Sequence, residues 1–187
     1  MSLTTAEQLR ACHVRRWHIV QTSREQTLAE HSFAVGVIAG SLAAKMRWRG
    51  LLHPAKQLAL VHWALTHDLI EVLTGDVPTP FKKVLREVGG VDIFEKAEDV
   101  VDPDCGGDYR EVAGTEIEMI VKVADMIESI YFLQDNGVGP HAKSVLTLLR
   151  EDLSRMVDKY DGEWTELTVR AATREVCREI GVDGGWL

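Results

Sequence analysis

A chain of 187 residues suits one domain, and 45% hydrophobic content is enough to build a substantial core. Its 21 Lys and Arg against 29 Asp and Glu give a net charge of −8. That balance argues against gripping a nucleic-acid polymer through its backbone, although a local basic pocket would still take a small anion. The three cysteines, Cys12, Cys105 and Cys177, are odd in number and widely spaced with no C-x-x-C pair. They argue against a disulfide framework or a zinc ribbon, and for a reducing, cytoplasmic setting. The N-terminus lacks the charged and apolar blocks of a signal peptide. The longest apolar run, residues 33–44, is short of the ~20 residues a bilayer span needs, so no membrane association is expected.

In chain order, a helical period dominates. "TAEQLRAC" predicts a short first helix capped by Thr4 or Thr5. Residues 14–27 sustain no helical face and read as a loop. Residues 28–48 predict a long apolar helix. Pro54 suits the first turn of the next, predicted to run to residue 73 and to be stopped by "TGDVPTP". "FKKVLREV" adds one turn or two. Residues 98–110, acidic and Gly-rich, read as a surface loop. Three more helices are predicted over 111–135, 141–160 and 163–180. No strand pair or repeat stands out. The expectation is one all-α domain of about five to seven helices.

The polar residues on these apolar helices raise the functional question. His31 sits three residues after Leu28, four before Val35 and seven before Ile38, on one helix face. Glu71 follows His67 by four residues and Asp68 by three, so on a helix the three would share a face. Asp125 has Ile120 and Val121 behind it. Taken singly, His31 could be a hydrogen-bonded core histidine, His67–Asp68 a surface pair, and Asp125 an ion-pair partner of Lys122. Taken together, three helices burying such groups make sense if the groups converge, because isolated buried charges cost several kcal/mol. Two imidazoles and two carboxylates are a good ligand set for a divalent metal.

The order His31, His67–Asp68, Asp125 resembles the signature of the HD phosphohydrolase superfamily. The flanking words are more specific. "RRW" (15–17), "AEHSFAV" (29–35), "THDLIEVLTGDVPTPFK" (66–82) and "VKVADMIES" (121–129) resemble the bacterial 5′-deoxynucleotidase branch and related phage enzymes that remove dATP. The resemblance runs over about residues 9–136 of a single domain, 1–187, whose C-terminal helices (137–187) find no matching words.

The resemblance implies that His31, His67, Asp68 and Asp125 hold one divalent ion, Co²⁺, Mn²⁺ or Zn²⁺. Two-metal HD enzymes need extra histidines after the doublet, and no His lies between 67 and 141. It implies that Glu71 takes a proton from the attacking water or orients it. Asp76 is the second candidate for base, or for protonating the leaving 5′-oxygen. Arg16 and Trp17 match positions that face the sugar, with Trp17 leaving little room for a 2′-hydroxyl. Ile19 and Pro80 would wall the base pocket, and Lys82 and Lys122 would meet phosphate. His18 stands where the bacterial enzymes commonly carry Pro, while Ile19 is more like the phage enzymes. The implied activity is 5′-deoxynucleotidase, dNMP to deoxynucleoside plus phosphate. The alternative is a deoxynucleoside triphosphohydrolase such as the dATP-directed phage type, and a non-catalytic nucleotide sensor is the minor one. The expected partner is a small deoxynucleotide, in the cytoplasm (the host's, if phage-encoded). A homo-oligomer is expected, its interface suited by the five Trp and the C-terminal helices.

Overall fold

In this computed structural model the described residues are 3–47, 53–89, 107–163, 168–183 and 185, with backbone alone for 107–113. The first turn, α1 (Thr5–Gln8), is capped as expected: Thr4 and Glu7 form a reciprocal capping box. A 3₁₀ turn, Leu9–His13, follows. A second capping box, Thr27 with Glu30, opens α2 (Leu28–Lys45). Then come α3 (Pro54–Thr66), α4 (Glu71–Thr74), α5 (Thr79–Gly89), α6 (Gly107–Asn136), α7 (Gly139–Glu163) and α8 (Val169–Glu179). Six of these have 11 residues or more, and among the described residues there is no strand, only two isolated β-bridges. None of the described helices is long and apolar enough to cross a membrane.

The core forms where α2, α3 and α6 pack on one another and α7 and α8 close one side. From α2, Leu28, Val35, Ile38, Ala39 and Leu42 turn inward at helical spacing. From α6, Ile117, Ile120, Ala124, Ile127 and Ile130 are fully buried, and Leu153, Val157, Val176 and Cys177 complete the layer. Burying each large apolar side chain contributes ~1.5–3 kcal/mol. Gln26, His31, Glu71 and Glu128 are also buried.

Several sequence expectations need correction. The helix predicted from 54 to 73 ends at Thr66, and the chain tightens through 67–70 before α4. The Thr66 hydroxyl donates to the His62 carbonyl and His67 Nδ1 to that of Ala64, at 2.8 and 2.9 Å. The backbone answers with i→i−3 bonds, from Leu69 to Thr66 and from Glu71 to Asp68. A continuous apolar run hides this break. The segment with "FKKVLREV" makes an 11-residue helix, longer than one or two turns. The helix predicted over 111–135 falls within α6, which begins at Gly107 and kinks at Gly114, where φ 64° and ψ 174° are not helical; the rest of the expected loop, 98–106, lies outside the described residues. Trp48, Trp164 and Trp186, counted toward an interface, lie outside them as well.

Residues 14–27 are a loop, as expected, but a pinned one. Arg16 N–H donates to the Gln26 carbonyl and Leu28 N–H to that of Val14, both at 2.9 Å. At its far bend Ser23 N–H reaches the Asn136 carbonyl at the end of α6, at 2.8 Å. The strap therefore presents Arg16 and Trp17 from a fixed base.

Candidate active site

The site lies where α2, the 67–70 turn and α6 meet, under the 14–27 strap. His31 is completely buried on α2. Its Nδ1 lies 2.5 Å from Glu128 Oε2, and Glu128 is itself 2% exposed. A carboxylate accepts, so Nδ1 carries the hydrogen and Nε2 faces the other way. His67 follows the same logic: its Nδ1 donates to the Ala64 carbonyl, freeing Nε2. The two Nε2 atoms are 3.4 Å apart. Asp125 Oδ1 is 3.2 Å from His31 Nε2. Asp68 Oδ2 is 3.5 and 3.4 Å from the two Nε2 atoms.

Two imidazole lone pairs and two carboxylates aimed at one point repel unless something cationic stands between them. The ligand atoms of His31, His67 and Asp125 all lie within 4.8 Å of one another, so these three could hold a metal; Asp68 is not of that group, although its Oδ2 lies within 3.5 Å of both Nε2 atoms. Without metal a proton takes that role. Burial and the Arg16 guanidinium act against a charged His31, but Asp125, Asp68 and Glu128 outweigh them and push it up to about 10. Burial likewise opposes ionisation of Asp68, yet His67, His31 and Arg16 hold it well below the usual carboxylate range. Asp125 is held low against burial chiefly by His31. The Asp125 side chain is 38% exposed, so the centre opens to solvent on the α6 side.

Glu71 heads α4 and is 3% exposed. Its Oε1 takes the Lys82 ammonium at 3.3 Å, while the buried Oε2 has no partner. Burial, then the charges of Asp68 and Asp76, push Glu71 up to about 8, with Lys82 and Arg16 opposing. Gly75, at φ 72°, makes the left-handed bend that ends α4. Asp76 then accepts the Trp17 backbone N–H at 3.0 Å.

Arg16 donates to Asp68 Oδ2 at 3.1 Å, and its charge is reinforced by the site's carboxylates against burial. Trp17 holds φ 65°, a conformation a bulky side chain rarely adopts and that costs of order 1–3 kcal/mol. Its indole stacks on Phe132 at 6.1 Å between centroids. Its Nε1–H donates to Gln26 Oε1 at 2.8 Å, and Gln26 Nε2 donates to Glu128 Oε1 at 2.6 Å. Ile19, 54% exposed, and Pro80 lie on the surface. Lys122 is exposed and pairs with Glu118 at 2.6 Å.

Two residues of the site escaped the sequence reading, Glu128 and Gln26. Glu128 had a signal, because it follows Asp125 by three residues and shares its helix face. Gln26 had none, since its partner lies 102 positions away.

A family model described as 5′-deoxynucleotidase YfbR-like matches residues 4–133. The chain is 32% identical over 173 residues to the dATP triphosphohydrolase of Salmonella phage PMBT28, covering 90% of this chain and 86% of that one. It is 30% identical over 142 residues to the 5′-deoxynucleotidase of Vibrio cholerae, covering 68% and 72%. A solved structure, the cyanophage S-2L HD phosphohydrolase bound to dA and one catalytic Zn²⁺ ion, is similar with a TM-score of 0.67. That likeness holds at 28% identity over 97% of this chain and 96% of that one. The expected all-α HD fold is thus borne out, and the chain belongs to the 5′-deoxynucleotidase YfbR-like family of HD phosphohydrolases.

Proposed function

We propose that the protein hydrolyses 2′-deoxynucleoside 5′-phosphates at the 5′-oxygen, using one divalent metal held by His31, His67, Asp68 and Asp125. The observation that carries this reading is the convergence of His67 Nε2 and one carboxylate oxygen each of Asp68 and Asp125 within 3.5 Å of His31 Nε2. A bound Mn²⁺, Co²⁺ or Zn²⁺ would polarise the phosphoryl oxygen and acidify a water. The chain's own residues supply the rest. Glu71, with one buried oxygen unpartnered and its acidity near neutral, takes the proton of the attacking water. Lys82 steadies its other oxygen. The proton Glu71 gains is then available to the leaving 5′-oxygen, and Asp76, anchored by the Trp17 N–H, is the second candidate for either role. Arg16 stays charged beside Asp68 and is the phosphate-facing cation. Trp17 covers the sugar and disfavours a 2′-hydroxyl, Ile19 and Pro80 border the base, and Lys122 is a peripheral phosphate contact. The cytoplasm is the proposed setting, and a homo-oligomer the proposed assembly.

Two substrates fit this chemistry. The first is a deoxynucleoside monophosphate, in line with the family model. The second is a deoxynucleoside triphosphate such as dATP, releasing intact triphosphate. It is supported by the longer match to the phage enzyme, 90% of the chain against 68% for the Vibrio cholerae one. Both break the same bond. The test is to incubate dAMP and dATP separately with Mn²⁺ or Co²⁺, and again after chelation, and to identify the phosphorus product. Phosphate from dAMP alone supports the first substrate. Deoxyadenosine plus triphosphate from dATP supports the second. No metal-dependent product from any deoxynucleotide would overturn the proposal and favour a sensor.

A further inference from the structure

The indole of Trp17 and the imidazole of His31 are joined by an unbroken line of hydrogen bonds through two buried side chains. An indole N–H only donates. Gln26 must therefore turn its oxygen to Trp17, at 2.8 Å, and its NH₂ to Glu128, at 2.6 Å. Glu128 must then accept on both oxygens, and its second takes Nδ1–H of His31 at 2.5 Å. The tautomer that leaves His31 Nε2 open to a metal is thus dictated, link by link, from the indole. The same tryptophan holds Asp76 through its backbone N–H. We infer that Gln26 and Glu128 are positioning residues that couple the pose of Trp17 to the metal-binding competence of His31. This extends the proposed function, because it rests on His31 being a ligand. Its consequence is that the sugar pocket's wall and the metal centre are one mechanical unit. Metal capture then orders the sugar pocket, and loosening the indole weakens the metal.

Metal affinity in the absence of nucleotide tests this, by competition with a chromogenic chelator, using Zn²⁺ and Mn²⁺ on the stripped full-length protein. Glu128→Gln offers one acceptor where two are needed, and should weaken binding about 10- to 100-fold. Gln26→Glu sets two carboxylates against each other and should weaken it comparably. The exchange Gln26→Glu with Glu128→Gln restores the donor–acceptor order: indole to Glu, Gln to Glu, imidazole to Gln. It should bind at least about threefold more tightly than Glu128→Gln alone. Trp17→Phe keeps a ring to stack on Phe132 and loses the donor, and should also weaken metal binding at least about threefold. An exchange variant no better than Glu128→Gln alone, or a Trp17→Phe protein with wild-type affinity, overturns the coupling while leaving the metal site standing. A wild-type protein that takes up no divalent metal overturns the ligand assignment itself.

Discussion

Glu71→Gln should make the metal-free protein more stable at alkaline pH while removing most of its activity. Glu71 is 3% exposed, and burial with neighbouring negative charge pushes its carboxyl from about 4.5 to about 8, even with Lys82 beside it. Between those two pH values the folded state holds a proton that the unfolded state has released. Stability therefore falls as pH rises through that window, and the full penalty stands above about pH 8. At about 1.4 kcal/mol per pH unit the ceiling is about 5 kcal/mol. A neutral amide avoids the charge, although it forgoes the Lys82 ion pair. The variant should match wild type near pH 4.5 and exceed it by a few kcal/mol at pH 9. Denaturant unfolding in chelator at pH 5, 7 and 9 measures this. Loss of a general base should meanwhile lower turnover about 10²- to 10⁴-fold with metal retained. Parallel pH profiles for the two proteins would refute the burial argument. Wild-type turnover would remove Glu71 from the chemistry.

Two other expectations follow from the same geometry. The metal must displace the proton that His31 holds up to about pH 10, so apparent metal affinity should rise about tenfold per pH unit between pH 7 and 9. Chelator competition at several pH values checks the slope, and a flat response would mean His31 binds no metal. His31→Ala or Asp68→Ala should lose both metal and turnover, read by metal analysis after dialysis. Full metal and full rate in either variant would contradict the ligand set.

Much of the fold was legible because periodicity and capping speak locally. The inward stripe of α2 and the capping boxes at Thr4 and Thr27 follow from residues within one or two turns of each other. The break after Thr66 was not legible, because two side chains capture backbone carbonyls without disturbing the apolar pattern. That break matters, since it lifts His67 and Asp68 out of regular helix. The residues of the proposed metal centre stand out in the sequence by their order and flanking words. Their partners depended on contacts that no local pattern encodes: Arg16 with Asp68, 52 positions apart, and Gln26 with Glu128. The raised acidity constant of Glu71 likewise comes from burial and from charges brought in by folding.

The central claim is that four side chains hold one divalent ion. Crystals grown with Mn²⁺ or Zn²⁺, with anomalous scattering recorded at the metal edge, test it most directly. The account predicts a single strong peak about 2.0–2.2 Å from Nε2 of His31 and His67 and from one carboxylate oxygen each of Asp68 and Asp125. A peak elsewhere, or no peak with the metal in excess, would contradict it.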